Sequence, residues 1–85
     1  MTGSSEIDEP DASTSVPLRG DHITLAQAVK VVGLADSGGQ AKVLIRNGDV
    51  LVNGAVETRP GRKLRAGDRF GAHRPAGGRE WTITA

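Results

Sequence analysis

The run Ser37-Gly38-Gly39-Gln40-Ala41-Lys42-Val43-Leu44-Ile45-Arg46-Asn47-Gly48-Asp49-Val50-Leu51-Val52-Asn53-Gly54 encodes a helix, its stop, a strand and a hairpin turn in succession. Ser37 with Gln40 three residues later is a helix-start pattern, in which a hydroxyl and a side-chain amide satisfy otherwise free backbone amides. Ala41, Leu44 and Ile45 recur at helical spacing and form an apolar stripe. Gly38, Lys42 and Arg46 stand four apart on the neighbouring stripe, which exposes two bases beside a glycine-rich helix start. Asn47-Gly48 ends the helix, and Val50-Leu51-Val52 reads as a strand. Asn53-Gly54 follows it and tolerates the positive φ angles of a tight type I′ turn, so a hairpin is expected with Ala55-Val56-Glu57 as the return strand.

Reading outward, Thr24-Leu25-Ala26-Gln27 repeats the capping pattern upstream, and Leu25, Ala28, Val29 and Val32 share one helical face up to a stop at Gly33. Downstream, Arg59-Pro60-Gly61-Arg62-Lys63 is a basic turn and Ala66-Gly67-Asp68 a second turn. Arg69 to His73 is expected to form a strand, and Arg74 to Arg79 to link it to a last strand at Trp81 to Thr84. The element order is helix, helix, then four short strands. That order predicts an α+β fold, two short helices packed on a small antiparallel sheet, with Phe70 and Trp81 pairing across the last two strands in the core.

The whole chain has 85 residues and 8.8 kDa, enough for one small domain. A domain of this size buries only about 60% of its unfolded surface, so its core is marginal. Residues 1–21 are expected to be a disordered acidic tail and residues 22–85 the folded domain. The first nineteen residues are rich in Ser, Thr, Asp, Glu and Pro and have little to bury. The charges divide the same way. Residues 1–21 hold five acids and one base, a net −4, whereas residues 22–85 hold ten bases and five acids, a net +5. A basic domain behind an acidic tail points to a polyanionic partner, and the tail could screen the basic face at low salt.

Several classes are excluded on composition. With no cysteine there is neither a disulfide framework nor a thiolate metal site. No apolar run approaches the ~20 residues of a membrane span, and the acidic start is unlike a signal or transit peptide, so a cytoplasmic chain is expected. His22 and His73 lack ligand spacing, the turn aspartates Asp36, Asp49 and Asp68 suit local hydrogen bonding, and Gly38-Gly39 lacks the Lys-Ser/Thr of a phosphate loop. No nucleophile stands with a base. The expectation is no catalytic residue, no metal site, no cofactor and no enzyme.

The bases carry the most information. Lys42 and Arg46 lie on the second helix, and Arg59, Arg62, Lys63 and Arg65 lie around the turn after the hairpin. If that turn folds back beside the second helix, six bases meet near a helix start whose amides also favour phosphate. Phe70 and Trp81 are the only aromatic residues, so a base-stacking sheet surface is not expected. Recognition by shape and backbone charge suits structured RNA.

Ser37-Gly38-Gly39-Gln40-Ala41-Lys42, Asn47 to Gly54, Glu57-Thr58-Arg59, Arg62-Lys63-Leu64 and Gly67-Asp68 together resemble the S-four RNA-binding domain, the αL motif, in its stand-alone YbcJ-type form. The resemblance runs from about residue 22 to the end of the sequence. It implies two helices on a small sheet, with the second helix and the following loop facing RNA. Ser37, Gln40, Lys42 and Arg46 would belong to the helix contact, and Arg59, Arg62 and Lys63 to the loop contact. The glycines and Asn53 would serve backbone geometry. The implied partners are ribosomal or transfer RNA and the ribosome, with the protein acting as a monomer. Two departures stand out. The first helix carries one base, Lys30, and Pro60 stands where many relatives have a second arginine.

Two other readings compete. A protein-binding adaptor could use the same basic face on a ribosomal or other complex. A β-grasp sulfur carrier shares a Val-Asn-Gly hairpin, but it requires a C-terminal Gly-Gly, and here Gly77-Gly78 is followed by seven more residues.

Overall fold

The computed structural model describes residues 14–73 and 79–85. The chain forms β1 (Ser15–Pro17), β2 (Ile23–Thr24), α1 (Leu25–Val31), α2 (Gly38–Arg46), β3 (Val50–Val52), β4 (Ala55–Val56), β5 (Lys63–Leu64), β6 (Arg69–Ala72) and β7 (Glu80–Thr84). Five strands make one sheet in the order β1-β7-β6-β3-β4, and β2 and β5 form a separate antiparallel pair.

Both helices begin and end as local chemistry dictates. The Thr24 hydroxyl accepts from the Gln27 amide at 3.3 Å, and the Gln27 side chain accepts from the Thr24 amide at 3.0 Å, a complete capping box. Each helix stops on a glycine with positive φ, Gly33 at 83° and Gly48 at 84°. In α1 the Gly33 and Leu34 amides donate back to the Lys30 and Val29 carbonyls. In α2 the Gly48 and Asp49 amides donate to those of Ile45 and Leu44. These paired bonds are Schellman closures, which satisfy carbonyls that a helix end would otherwise leave bare.

The hairpin forms on the expected turn, with β4 ending at Val56, one residue short of the expected Glu57. Leu51 faces Val56 and Val52 faces Ala55 across a two-residue turn in which Asn53 and Gly54 both have positive φ. Asn53 does more than turn the chain. Its carboxamide donates to Asp68 at 3.2 Å and accepts from the Arg69 amide at 2.9 Å, fastening the hairpin to the start of β6.

The core lies between the helices and one face of the large sheet. Val52, Phe70 and Trp81 stand in one row across β3, β6 and β7, and the Phe70 and Trp81 rings stack with centroids 5.7 Å apart. Leu25, Ala28 and Val29 from α1 and Ala41 and Ile45 from α2 close over the core, all fully buried. At Gly71 the backbone of Arg79 passes so close that a Cβ would collide with its carbonyl oxygen.

The sequence reading is corrected at three places. Ser15–Pro17, assigned to the tail, is strand β1. It runs parallel to β7, and Val16, only 4% exposed, sits in the core opposite Ile83. Order therefore begins before residue 22, because β7 offers an unpaired edge and Val16 one apolar side chain to bury against it. The sheet is consequently mixed rather than purely antiparallel. Lys63, read as part of the basic turn, belongs to strand β5 opposite Thr24. The expected disorder of residues 1–13 and most of the Arg74–Arg79 link fall outside the described residues.

Candidate nucleic-acid interface

The predicted helix contact is built on the start of α2. The Ser37 hydroxyl accepts from the Gln40 amide at 3.1 Å, and the Gln40 side-chain oxygen accepts from the Asp36 amide at 2.7 Å. This is the expected cap shifted by one residue, since the glutamine reaches Asp36 instead of Ser37. Both bonds use acceptor oxygens. What Ser37 and Gln40 still present is a hydroxyl proton and an NH2 group, donors that suit a phosphate oxygen. Gly38 and Gly39 head the helix ahead of its first intrahelical donor, Ala41, and carry no side chains of their own. Lys42 and Arg46 continue this line along the exposed side of the helix, while Ala41 and Ile45 are buried.

The predicted loop contact has a different foundation. The turn at 59–62, closed by an Arg62 amide to Arg59 carbonyl bond of 3.1 Å, seats on the start of α1. The Leu25 amide donates to the Arg62 carbonyl at 2.8 Å and the Ala26 amide to the Pro60 carbonyl at 3.0 Å. Amides at a helix start need such partners, and the turn supplies carbonyls for them. The turn's backbone is thus docked on the first helix.

Against this turn stands Glu57, expected from the sequence to end the return strand and to belong to the Glu57-Thr58-Arg59 segment of the motif, but not to be a contact residue. It is 8% exposed, the single buried charged residue among those described. Arg59 grips it through the side edge of its guanidinium, Nε to Oε2 at 3.0 Å and Nη2 to Oε1 at 3.2 Å. The Arg59 amide donates to Oε2 at 3.0 Å, and Arg62 adds Nη1 to Oε1 at 2.8 Å. The Arg59 and Arg62 donors outweigh the cost of burial and hold the Glu57 carboxyl at about 2, far below its ordinary 4.5. The same carboxylate raises the Arg59 pKa still further above its ordinary value.

The grip does not consume the arginines. A guanidinium has five N–H groups, and the side edge of Arg59 spends two of them on Glu57. Its end edge, Nη1 with the outer Nη2 proton, is left to solvent on a side chain that is 72% exposed. Lys63 and Arg65 are exposed on and after β5. The seven predicted residues thus fall into two groups: Ser37, Gln40, Lys42 and Arg46 along α2, and Arg59, Arg62 and Lys63 around Glu57 and the start of α1. The two helices pack against each other.

Asp68, read as a turn residue, is one. It accepts from the Arg65 amide at 2.8 Å, which with the Asn53 bond draws its carboxyl below the usual range. The His73 ring nitrogen lies 3.3 Å from the Gly48 carbonyl, and His22 lies beside Asp21. No group of three or more potential metal ligands occurs among the described residues, and none of their helices is long and apolar enough to cross a membrane.

Comparison with known proteins agrees with this architecture. The family model described as the S4 domain matches residues 16–73. YbcJ of Escherichia coli (strain K12) is 48% identical over 46 residues, and RlbA of Bacillus subtilis (strain 168), named a probable ribosome maturation protein, is 46% identical over 46 residues. Those segments cover 54% of this chain and 66% and 65% of the two relatives, so each match spans just under two thirds of the relative's length. A solution structure of E. coli YbcJ, described as revealing an αL motif involved in RNA binding, superposes with a TM-score of 0.60 at 32% identity. That match covers 91% of this chain and 94% of the other. The β-grasp alternative falls with this result. By family model, sequence and fold alike, the chain belongs to the S4 domain family.

Proposed function

We propose that this protein is a non-enzymatic module that binds structured RNA, ribosomal or transfer RNA, as a monomer. The observation that carries the reading is the occurrence together of a glycine-headed helix start, continued by exposed Lys42 and Arg46, and an arginine turn held by Glu57. Helix-start amides and outward guanidinium edges both recognise phosphate oxygens, a contact that positions RNA without reading its sequence. Ser37, Gln40, Lys42 and Arg46 form one half of the contact, and Arg59, Arg62 and Lys63 the other. The buried Phe70 and Trp81 are unavailable for stacking, which favours duplex or folded RNA over an extended single strand. The αL motif of the YbcJ structure supports RNA as the ligand. The ribosome-maturation name of RlbA supports ribosomal RNA, met in the cytoplasm during assembly of the particle.

The test is an NMR titration of labelled protein with an RNA stem-loop at low and high salt, alongside the Lys42→Glu/Arg46→Glu double variant. Shifts should concentrate at residues 37–46 and 59–65 and weaken steeply with salt, as counterion release requires. The double variant should lose binding while its circular dichroism stays unchanged. Binding that survives charge reversal would show that the contact lies elsewhere. A wild type that ignores the stem-loop at low salt but captures an acidic ribosomal protein would favour the adaptor reading.

A further inference from the structure

We infer that Glu57 is a positioning residue for RNA binding, acting through Arg59; the inference rests on the reading above. A carboxylate in the middle of a cationic contact is at first sight a defect, since it repels phosphate and cancels one of the charges meant to attract it. Its placement argues otherwise. Glu57 is 8% exposed, so little of its charge faces an incoming ligand, and it is spoken for by three side-chain donors and one backbone amide.

The geometry at Arg59 sets what the carboxylate does. Both bonds from its side chain leave the side edge of the guanidinium, through Nε and Nη2. A guanidinium is planar, so fixing that edge fixes the end edge as well. Two parallel N–H groups are then aimed into solvent at the spacing of two phosphate oxygens, which is the fork geometry of a bidentate contact. Without Glu57, Arg59 becomes a long, free side chain that must surrender its rotamer freedom at the moment of binding. Arg62, bonded to Oε1 at 2.8 Å, braces the carboxylate from the other side. The turn beneath is itself pinned to the start of α1 by the Arg62 and Pro60 carbonyls, so the aimed edge has a rigid base.

This assignment makes a prediction opposite in sign to charge counting. Glu57→Gln removes a negative charge from a surface that binds a polyanion, and on electrostatics alone RNA binding should tighten. Positioning requires it to weaken, by about tenfold for an end-labelled RNA stem-loop. The loss should depend on Arg59: in an Arg59→Ala background, Glu57→Gln should change affinity by less than about twofold. Arg59→Lys keeps the charge but lacks the fork, and, with circular dichroism confirming that the variant is folded, should bind nearly as weakly as Arg59→Ala. The Arg59 Nε–Hε resonance should be sharp in the free wild type and broaden or shift in Glu57→Gln before any RNA is added.

Three results would overturn the assignment: tighter or unchanged binding by Glu57→Gln, an equal loss in the Arg59→Ala background, or wild-type affinity in Arg59→Lys. These are distinguishable from failure of the underlying reading. In that case the wild type itself does not bind the stem-loop, and the Glu57 role falls with it.

Discussion

Glu57→Gln should also remove a measurable part of the fold's stability, and remove it in a way that acid abolishes. The carboxyl titrates at about 2 in the folded chain against 4.5 normally. Each pH unit of displacement corresponds to about 1.4 kcal/mol, so the ionised group contributes about 3 kcal/mol at neutral pH. A depressed carboxyl contributes fully above its unfolded value. It loses that contribution as pH falls from 4.5 toward about 2. The glutamine variant never has it. A domain of this size holds roughly 5 kcal/mol in all, so the variant should remain folded but melt about 15 °C lower. Urea unfolding followed by the fluorescence of Trp81, which is 6% exposed, reports the difference. The gap between wild type and variant should be constant above about pH 5.5 and then narrow by about 1.4 kcal/mol per pH unit below 4.5. Asp68 is also held low, but it is common to both chains and cancels in the difference. A gap that persists unchanged into acid would mean that glutamine merely packs badly. A gap below about 1 kcal/mol at neutral pH would refute the ion-pair argument.

Further expectations follow from the fold. Val16→Ala should cost roughly 2 kcal/mol in urea titrations, because Val16 is buried against β7, whereas a disordered tail would show no change. Asn53→Gly keeps the positive φ but loses the bonds to Asp68 and Arg69, for about 1 kcal/mol; Asn53→Ala should lose about 2 kcal/mol because it adds backbone strain. Equal losses would show that the turn's φ is immaterial. Gly71→Ala drives a Cβ into the Arg79 carbonyl and should lower the melting temperature by at least about 10 °C, and an unchanged melt would deny the close approach.

Much of the candidate interface was legible because its residues are punctuated by local signals. Ser37 and Gln40 declare a helix start, and the fourfold spacing of Gly38, Lys42 and Arg46 places the bases on one exposed line. The arginines of the turn were visible as charges but not as a device. Glu57 lies two residues before Arg59 and five before Arg62, yet nothing in that spacing says that the carboxylate is buried or which guanidinium edge it takes. The Arg59–Lys63 turn declares its charge in the sequence but not its seat, because the carbonyls that dock it on α1 meet amides more than thirty residues upstream.

What the sequence determined by itself are features whose partners lie within about five residues. The Thr24–Gln27 box, the Ser37 cap, the glycine stops at Gly33 and Gly48 and the Asn53-Gly54 turn each close a short loop of chain at small entropic cost. Residue type alone therefore decides them. Tertiary structure decided the parallel pairing of Ser15–Pro17 with Thr82–Thr84, the burial of Glu57 and the docking of the 59–62 turn on α1. Ser15-Val16-Pro17 has a single side chain to bury, too little to announce a strand. It becomes one only because the finished sheet presents β7 with an open row of amides and carbonyls and a hydrophobic place beside Ile83.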